Sequence, residues 1–408
     1  MAIARRSFLQ GLGLGAATLA VDGWPLEVLA DPKGGPGRAL VVIQLTGGND
    51  GLNTVAPLAD PLYRKLRPKI GLDSNETLEL DGKVALHNAL VKLHTRFKAG
   101  QLAIIQGVGY PKPSRSHFDS TAIWQMARLE PYREPEGWLG RALSRNGADA
   151  KSFALLGVGG GALSPALYAK ANPATALASL DAFSVQPDKK FPGDAPALVA
   201  ALTELYAAPT KDHASLGTLT RVGQSALASS EVLKGAVSNS RSMVPYPRGP
   251  FGDQLKLVAQ LLAVELGVRV AHLSLGSFDT HANQKRQHQN LLSQLSEGVT
   301  ALLDDLESQG LADRVVVMTY SEFGRRVAEN GSGGTDHGGG SVLFLAGKPV
   351  RGGLHGTAPE LSKLQDGDVP FTVDFRSVYA SVLEGWLQLD AKSVLGASFP
   401  KLPLFAST

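Results

Sequence analysis

The sequence contains no cysteine. The 408 residues can therefore form no disulfide, no thiolate nucleophile and no cysteine-ligated zinc site, so any metal ion must be held by oxygen and nitrogen ligands. The formal net charge is only +3, and no basic stripe with interleaved aromatic residues is present, which argues against nucleic acid as a partner. No segment approaches eighteen consecutive apolar residues, so we expect no transmembrane segment in the mature protein.

The overall composition is that of a globular protein. Hydrophobic residues make up 43% of the chain and charged residues 19%, and the mean hydropathy is −0.01. A chain of this length can bury a large core, and it fits either one large domain or two smaller ones.

The N-terminus carries a pattern typical of an export signal. Arg5 and Arg6 precede a short, glycine-diluted apolar stretch that ends in an acceptable small-residue cleavage site at Ala30. This segment resembles a twin-arginine signal, although a chance arginine pair before a first helix is the alternative. We therefore predict that residues 1–30 are removed on export and that residues 31–408 form a periplasmic or secreted protein.

Six apolar runs have the length of a β-strand. Several are apolar at successive positions rather than alternating, which is typical of strands buried on both faces of a parallel sheet. The runs are 39–45, 101–108, 152–158, 267–275, 314–320 and 341–347. Helical patterns lie between them, and this alternation predicts an α/β doubly wound sheet.

Three apolar stripes have helical spacing. They run from Leu255 to Leu266, from Leu292 to Leu306 and from Phe375 to Trp386, and Asp374 is placed to cap the third. The alanine-rich region 160–250 lacks a strong strand pattern. We expect it to be largely helical and to form a cap or insertion beside the sheet.

Polar and charged residues follow four of the six strand runs. Open α/β sheets bind ligands at the carboxyl ends of their strands, so these residues are expected to converge on one site. In chain order the candidates are Asn49, Asp50 and Asn53, then Ser114, Ser116, His117 and Asp119, then Asp279, His281 and Asn283, and finally Glu322, Arg325, Asp336 and His337.

Several of these residues also have a purely structural explanation. Asp50 could be an ordinary turn residue, and Ser116 could cap a helix that begins at His117. Glu322 is different, because a carboxylate directly after an apolar strand is costly unless it is paired or coordinated. His272 lies inside a strand run and is expected to be a core histidine.

Carboxylate and imidazole side chains together suit a divalent metal ion, namely Zn, Mg, Mn or Ca. Two such ions can clamp the attacking and leaving oxygens of an in-line displacement. A serine at a helix N-terminus beside them would be activated as a nucleophile. The glycines around Asp336 and His337 indicate backbone that approaches another group closely. We therefore predict a centre with one or two divalent ions.

Longer motifs are similar to one known family. The segments QLTGGNDGLNT, GVGYPKPSRSHF, FDTHANQ and VVVMTYSEFGRRVAENGSGGTDHG resemble the DUF1501 family of exported bacterial proteins, which is grouped with the alkaline phosphatase and sulfatase superfamily of metallohydrolases. The resemblance covers essentially the whole chain. It implies an alkaline phosphatase-like three-layer sandwich, in which a central, mostly parallel sheet is flanked by helices and residues 31–408 form one domain.

The resemblance also implies roles for individual residues. We expect Ser116 to be the nucleophile, with Ser114 as the second choice and His117 as a further catalytic residue. The expected metal ligands are Asp50, Asp279, His281, Glu322, Asp336 and His337. The expected substrate-binding residues are Asn49, Asn53, Arg115 and Arg325.

The sequence departs from the superfamily at three places. Asp279 and His281 are two positions apart, where the superfamily usually has a spacing of four. Glu322 stands where an Asp-His pair is usual. Pro111 stands where a sulfatase would have its modified cysteine, which excludes a formylglycine sulfatase.

These observations lead to three functional hypotheses. The first is an exported metal-dependent hydrolase that uses a serine nucleophile on phosphate or sulfate esters, whose substrate would be a small-molecule or envelope-derived anionic ester. The second is a non-catalytic exported binding or assembly protein with a protein partner. The third is a metallohydrolase or transferase that acts on another bond or polymer, such as a cell-envelope glycan. The residue types favour chemistry, because binding proteins rarely need carboxylates and imidazoles at so many strand ends.

Overall fold

The computed structural model describes residues 37–145, 153–170, 174–179, 190–207, 244–264 and 266–406, together with isolated positions between 185 and 242. The predicted export signal, residues 1–30, lies outside the described residues, as does much of the alanine-rich region. Within the described segments, the helices are all too short or too polar to cross a membrane.

Two β-sheets are present in the described part of the chain. Numbered along the chain, the strands are β1 (Ala39–Leu45), β2 (Val55–Ala56), β3 (Thr77–Glu79), β4 (Ala85–His87), β5 (Leu102–Gly109), β6 (Leu155–Val158), β7 (Thr175–Leu177), β8 (Val270–Leu275), β9 (Val315–Tyr320), β10 (Ser341–Ala346), β11 (Gly353–Gly356) and β12 (Val373–Asp374). Strands β2, β4 and β3 form a small sheet. The other nine form a large sheet in the order β11-β5-β10-β9-β1-β8-β6-β7, with β12 beside β5.

Strand direction places the ends of several strands at one edge of the large sheet. Strand β10 is antiparallel to its neighbours β5 and β9, and the other strands of this sheet run parallel to one another. Strands β1, β5, β8 and β9 therefore end at the same edge, and β10 begins there. All six apolar runs form strands of this sheet, as predicted.

Helices cover both faces of the large sheet. They are α1 (Gly51–Thr54), α2 (Pro61–Leu66), α3 (Val91–Lys98), α4 (His117–Met126), α5 (Trp138–Arg145), α6 (Ala195–Ala207), α7 (Pro250–Ala263), α8 (Gln284–Ser308), α9 (Phe375–Val382) and α10 (Ala391–Leu395). The three predicted apolar stripes lie in α7, α8 and α9, except that Leu266 lies beyond α7 and the segment Leu383–Leu387 forms a π-helical turn directly after α9. The Asp374 carboxylate accepts a hydrogen bond from the Arg376 backbone N–H and caps α9 as expected.

Alternate residues of β1 face two separate cores, because successive side chains of a strand point to opposite faces. Val41 and Ile43 pack with α3, α7 and α8 on one face. Leu40 and Val42 pack with α4, α5, α9 and α10 on the other. This confirms the predicted three-layer α/β sandwich.

The alanine-rich region 160–250 contributes α6 and also β7, at the end of the large sheet. The sequence did not predict that strand. Its three residues, Thr175–Leu177, are too few to produce a recognisable apolar pattern.

Candidate metal centre

Loops after three parallel strands bring a group of polar side chains together. The loop after β5 leads into α4, whose first residue is His117. The loop after β8 carries Asp279 and His281, and the glycine-rich loop between β9 and β10 carries Glu322 and His337. These five predicted residues lie close together at the edge where the strands end, and their geometry decides what each one can do.

Three imidazoles surround one carboxylate. His117, Asp279 and His337 offer ligand atoms that all lie within 4.8 Å of one another. Nε2 of His117 is 3.4 Å from Oδ2 of Asp279, and Nε2 of His337 is 3.1 Å from Oδ1 of the same carboxylate. His281 adjoins this set, because its Nε2 lies 3.0 Å from Asp279 Oδ1 and 2.9 Å from His337 Nε2.

Each imidazole is oriented by an oxygen at its other ring nitrogen. The three Nδ1 contacts are His117 with Glu322 Oε1 at 2.8 Å, His281 with Asp336 Oδ1 at 3.2 Å, and His337 with the Arg115 carbonyl oxygen at 2.8 Å. A carbonyl or ionised carboxylate oxygen can only accept, so Nδ1 is the donor in each pair. A neutral imidazole with its proton on Nδ1 has a lone pair on Nε2, and these Nε2 atoms are the ones that surround Asp279.

In this tautomer the imidazoles turn Nε2 lone pairs toward the Asp279 carboxylate, an arrangement that a proton or a cation between them would stabilise. Among the described residues, Nε2 of His117 is a buried atom that forms no hydrogen bond. The Nε2 atoms of His281 and His337 face each other at 2.9 Å, and two lone pairs at that distance repel unless a proton or a cation lies beside them. Three imidazole nitrogens and a carboxylate match the ligands of Zn²⁺ and similar transition metals, whereas Mg²⁺ and Ca²⁺ prefer oxygen ligands. The residues present therefore fit a divalent transition-metal ion.

Arg325 holds Asp279 from the protein side. Its buried guanidinium donates to Asp279 Oδ1 at 2.7 Å, to the Gly48 carbonyl at 2.7 Å and to the Thr335 carbonyl at 2.8 Å. Partial burial raises the pKa of Asp279, but the hydrogen bond and the positive charge of Arg325 outweigh it and hold that pKa at about 2. Asp279 is therefore ionised and available as a ligand near neutral pH. Arg325 is enclosed, so it positions Asp279 rather than contacting substrate as predicted.

Two glycines after β1 allow the loops to approach this closely. Gly47 and Gly48 have φ angles of +118° and +81°, which favour glycine. A Cβ on Gly47 would lie 2.4 Å from the Asp279 backbone nitrogen, and one on Gly48 would lie 2.3 Å from the Phe323 ring. That ring packs against His117 and His337, with centroid distances of 4.9 and 4.5 Å, and forms an apolar wall of the centre.

Asp50 does not reach the cluster. Its side chain is fully buried, and its Oδ1 caps α1 by accepting from the backbone N–H groups of Leu52 at 3.1 Å and Asn53 at 3.2 Å. Its Oδ2 accepts from Arg67 at 2.6 Å and from the Gln284 amide. Burial raises the pKa of Asp50, but attraction to Arg67 contributes to a net lowering. The predicted metal ligand is thus held in a buried ion pair.

The residues predicted to bind substrate are also engaged inside the protein. Asn49 is 1% exposed, and its Oδ1 lies 2.9 Å from Nε2 of His288. Asn53 is likewise 1% exposed and hydrogen-bonded within the interior. Arg115 differs, because its side chain is 41% exposed and pairs with Asp368 at 2.6 Å, while its carbonyl oxygen accepts from His337.

Two predicted ligands lie behind the imidazoles instead. Glu322 is 0% exposed, and its Oε1 accepts from His117 and from the Gly47 backbone N–H at 2.8 Å. Asp336 orients His281 in the same way, but its side chain is 64% exposed. Because both carboxylates face Nδ1 atoms, they orient ligands rather than face the cluster themselves.

Ser116 and His117 stand at the start of α4. The Ser116 hydroxyl caps the helix by accepting from the Asp119 N–H at 3.4 Å. His117 was predicted as a catalytic residue, yet its Nε2 faces the cluster. Its place beside Asp279 and His337 was missed because the sequence signal, a histidine after a capping serine, is also that of an ordinary helix start.

The family can be assigned from the sequence match. Residues 137–397 match the family model described as "Protein of unknown function (DUF1501)". This chain belongs to the DUF1501 family. The family membership predicted from the motifs is thereby confirmed over these residues. No curated protein matches this DUF1501 chain in sequence.

Solved structures with a distant likeness to this DUF1501 protein include the following three. A sulfatase from Pseudoalteromonas sp. is 11% identical, with coverage of 91% of this chain and 71% of that chain and a TM-score of 0.39. A phosphonate monoester hydrolase from Silicibacter pomeroyi is 10% identical, with coverage of 90% and 78% and a TM-score of 0.32. The C-terminal periplasmic domain of EcEptC from Escherichia coli, in complex with Zn, is 9% identical, with coverage of 77% and 74% and a TM-score of 0.36. These TM-scores are too low to support any inference about the site, so its chemistry rests on its own contacts.

Proposed function

We propose that this DUF1501 protein is an exported, metal-dependent hydrolase of phosphate or sulfate esters. One observation carries the proposal: three imidazole Nε2 atoms lie within 3.4 Å of the Asp279 carboxylate, while each Nδ1 is held by an acceptor oxygen. With each Nδ1 donating to an oxygen, the three Nε2 atoms are left facing the Asp279 carboxylate, and a bound cation would join these acceptor groups.

His117, Asp279, His281 and His337 would hold the ion. When bound, a divalent ion supplies Lewis acidity toward the oxygens of an anionic ester. The donor set favours zinc or another transition metal over magnesium or calcium.

The protein itself supplies orientation and access. Glu322 fixes His117 in the tautomer that keeps Nε2 unprotonated, and its burial prevents water from replacing it. Phe323 closes one side of the cluster. The side chains of Asp279 and His281 are 45% and 43% exposed, so an ester can approach from their side.

Ser116 is the proposed nucleophile. It directly precedes His117 and caps the N-terminus of α4, where the helix dipole favours negative charge on its oxygen. The hydrogen bond that its hydroxyl accepts from Asp119 is long, at 3.4 Å. The Ser116 backbone N–H donates to Ser114 Oγ at 3.2 Å, so Ser114 helps to fix the turn that carries the nucleophile.

Metal content and ester hydrolysis together test this function. We would express the full chain in metal-supplemented medium, quantify bound metals, and assay para-nitrophenyl phosphate and para-nitrophenyl sulfate with zinc, manganese, magnesium or calcium. We expect bound metal in the wild type, its loss in Asp279→Asn, and loss of turnover with retained metal in Ser116→Ala. Ser293, whose hydroxyl donates to Glu297 within α8 at 3.0 Å, provides the matched control, and Ser293→Ala should keep the turnover. A folded wild type that takes up no metal would refute the proposal.

A second candidate function is metal-dependent binding or assembly without turnover, with an exported protein as partner. It is favoured by the commitment of Asn49, Asp50 and Asn53 to interior contacts, which leaves fewer groups to bind a substrate. A Ser116→Ala variant that retains metal and the full cellular phenotype would support this function over hydrolysis.

A further inference from the structure

We propose that the centre is built for a single ion, because two buried arginines permanently neutralise carboxylate oxygens that a second ion would need. This inference rests on the proposed function, since it concerns the same metal centre. It assigns Arg67 and Arg325 as internal cations that belong to the fold.

The first arginine completes the set of hydrogen bonds that the Asp50 carboxylate accepts. Arg67 NH1 lies 2.6 Å from Asp50 Oδ2, and neither side chain has any exposed surface. With the Gln284 amide and two backbone N–H groups, each Asp50 oxygen accepts two hydrogen bonds. A carboxylate has about four lone-pair positions, so this one has none left for a metal ion.

Arg67 is also unable to move aside. Its Nε donates to the Val327 carbonyl at 2.8 Å, and its NH2 donates to the Arg326 carbonyl at 2.8 Å. NH1 donates to Asn53 at 2.7 Å as well as to Asp50. Displacing this guanidinium would leave a buried charge and several carbonyl groups without partners, which is strongly unfavourable.

The second arginine places a fixed positive charge beside the cluster. Arg325 NH2 lies 2.7 Å from Asp279 Oδ1, and the same guanidinium donates to carbonyl oxygens of three loops. Those carbonyls belong to Gly47, Gly48, Phe278 and Thr335. Because Arg325 already occupies Oδ1 of Asp279, this carboxylate keeps Oδ2 for one ion and cannot bridge two ions.

The remaining carboxylates around the cluster are occupied too. Glu322 and Asp336 are each hydrogen-bonded to an imidazole that faces Asp279. Using either as a ligand of a second ion would release that imidazole. Among the described residues, the cluster therefore provides one set of ligands around Asp279, and charge that develops elsewhere on a substrate must be met by the protein.

Metal stoichiometry tests this inference directly. The full chain would be titrated with zinc, freed of loosely held metal with a weak chelator, and examined by elemental analysis, native mass spectrometry and anomalous scattering from crystals. We expect one ion per chain, located at Asp279. Two ions per chain at this edge would overturn the single-ion inference and leave the proposed function standing, whereas no ion would overturn both.

Two isosteric variants extend the test to Asp50. Asp279→Asn should weaken zinc affinity by more than about a hundredfold, because it removes the charge of a ligand. Asp50→Asn should keep one ion with affinity within about threefold of wild type, while its melting temperature falls because Arg67 loses its counter-ion. Loss of the ion in folded Asp50→Asn would overturn the inference. If that variant does not fold, the wild-type stoichiometry still decides.

Discussion

Replacing Glu322 with glutamine isolates the effect of one buried charge on metal binding. The carboxylate has no exposed surface, and its Oε1 lies 2.8 Å from both His117 Nδ1 and the Gly47 backbone nitrogen. Glutamine has the same shape and retains an oxygen that can accept both hydrogen bonds, so the fold should survive. The variant loses the negative charge that makes the His117 imidazole a better ligand.

The expected loss of zinc affinity follows from the position of Glu322 behind His117. Orienting partners of metal-bound histidines are worth about 10- to 100-fold in affinity, or roughly 1.4 to 2.7 kcal/mol. We expect Glu322→Gln to lie near the upper limit, because water cannot screen a buried charge. Asp336→Asn should have a smaller effect, since that carboxylate is 64% exposed and solvent weakens its influence on His281.

A competition titration against a chromophoric chelator at neutral pH would measure the zinc affinity of each variant, with circular dichroism to show that it is folded. Glu329→Gln is a suitable control, because the Glu329 carboxylate accepts from the backbone N–H groups of Lys69 and Ile70 and contacts none of the imidazoles of the cluster. Its affinity should equal that of wild type. If folded Glu322→Gln binds zinc within about twofold of wild type, Glu322 does not support a ligand and the assignment of His117 to the centre is wrong.

Three further predictions concern stability and export. The buried histidines have their pKa lowered by burial, to about 4, about 4 and about 3 for His87, His272 and His288. Below about pH 6.5 these histidines take up protons in the unfolded chain but not in the folded chain. The free energy of unfolding should therefore fall by about 2 kcal/mol per histidine between about pH 7.5 and pH 5. A flat pH profile in urea denaturation would contradict this. Gly48→Ala should lower stability by at least about 1 kcal/mol through its positive φ and its clash with Phe323, whereas Gly331→Ala, whose Cβ meets open space, should be neutral in the same denaturation assay. Arg5→Lys combined with Arg6→Lys should trap an uncleaved precursor in the cytoplasm, because lysine lacks the planar guanidinium, and normal export in cell fractionation would mean a different route.

The main strands could be predicted because a strand that is buried on both faces needs apolar residues at successive positions. Strand β1 matches its predicted limits, Ala39 and Leu45, and all seven of its residues are buried. The direction of β10 could not be predicted, because an apolar run reads the same whichever way the strand lies in the sheet. Strand β12 has only two residues and exists through its pairing with β5, so no local pattern marks it.

The site shows a similar limit. Strand ends correctly drew attention to the residues that converge, but Asp50 and Asp279 each follow an apolar strand and look alike locally. What separates them is the partner that each meets in space. Asp50 meets Arg67 and Gln284, which are 17 and 234 positions away, whereas Asp279 meets imidazoles from other loops. A single sequence does not contain that information at either aspartate.

Strand β10 runs antiparallel to β9, with Leu345 opposite Met318 and Ala346 opposite Val317. The loop between these strands, residues 321–340, therefore starts and finishes at the same edge of the sheet. The two ends of the loop carry Glu322 and His337, while a Cβ on Gly331 near its middle would meet open space. The residues beside Gly331 hold the loop that carries His281, because the Ser332 and Gly333 carbonyls accept from the Asn283 and Gln284 backbone N–H groups at 3.2 and 2.9 Å. We therefore expect related chains to vary at Gly331 itself, where a new side chain would leave these loop contacts in place.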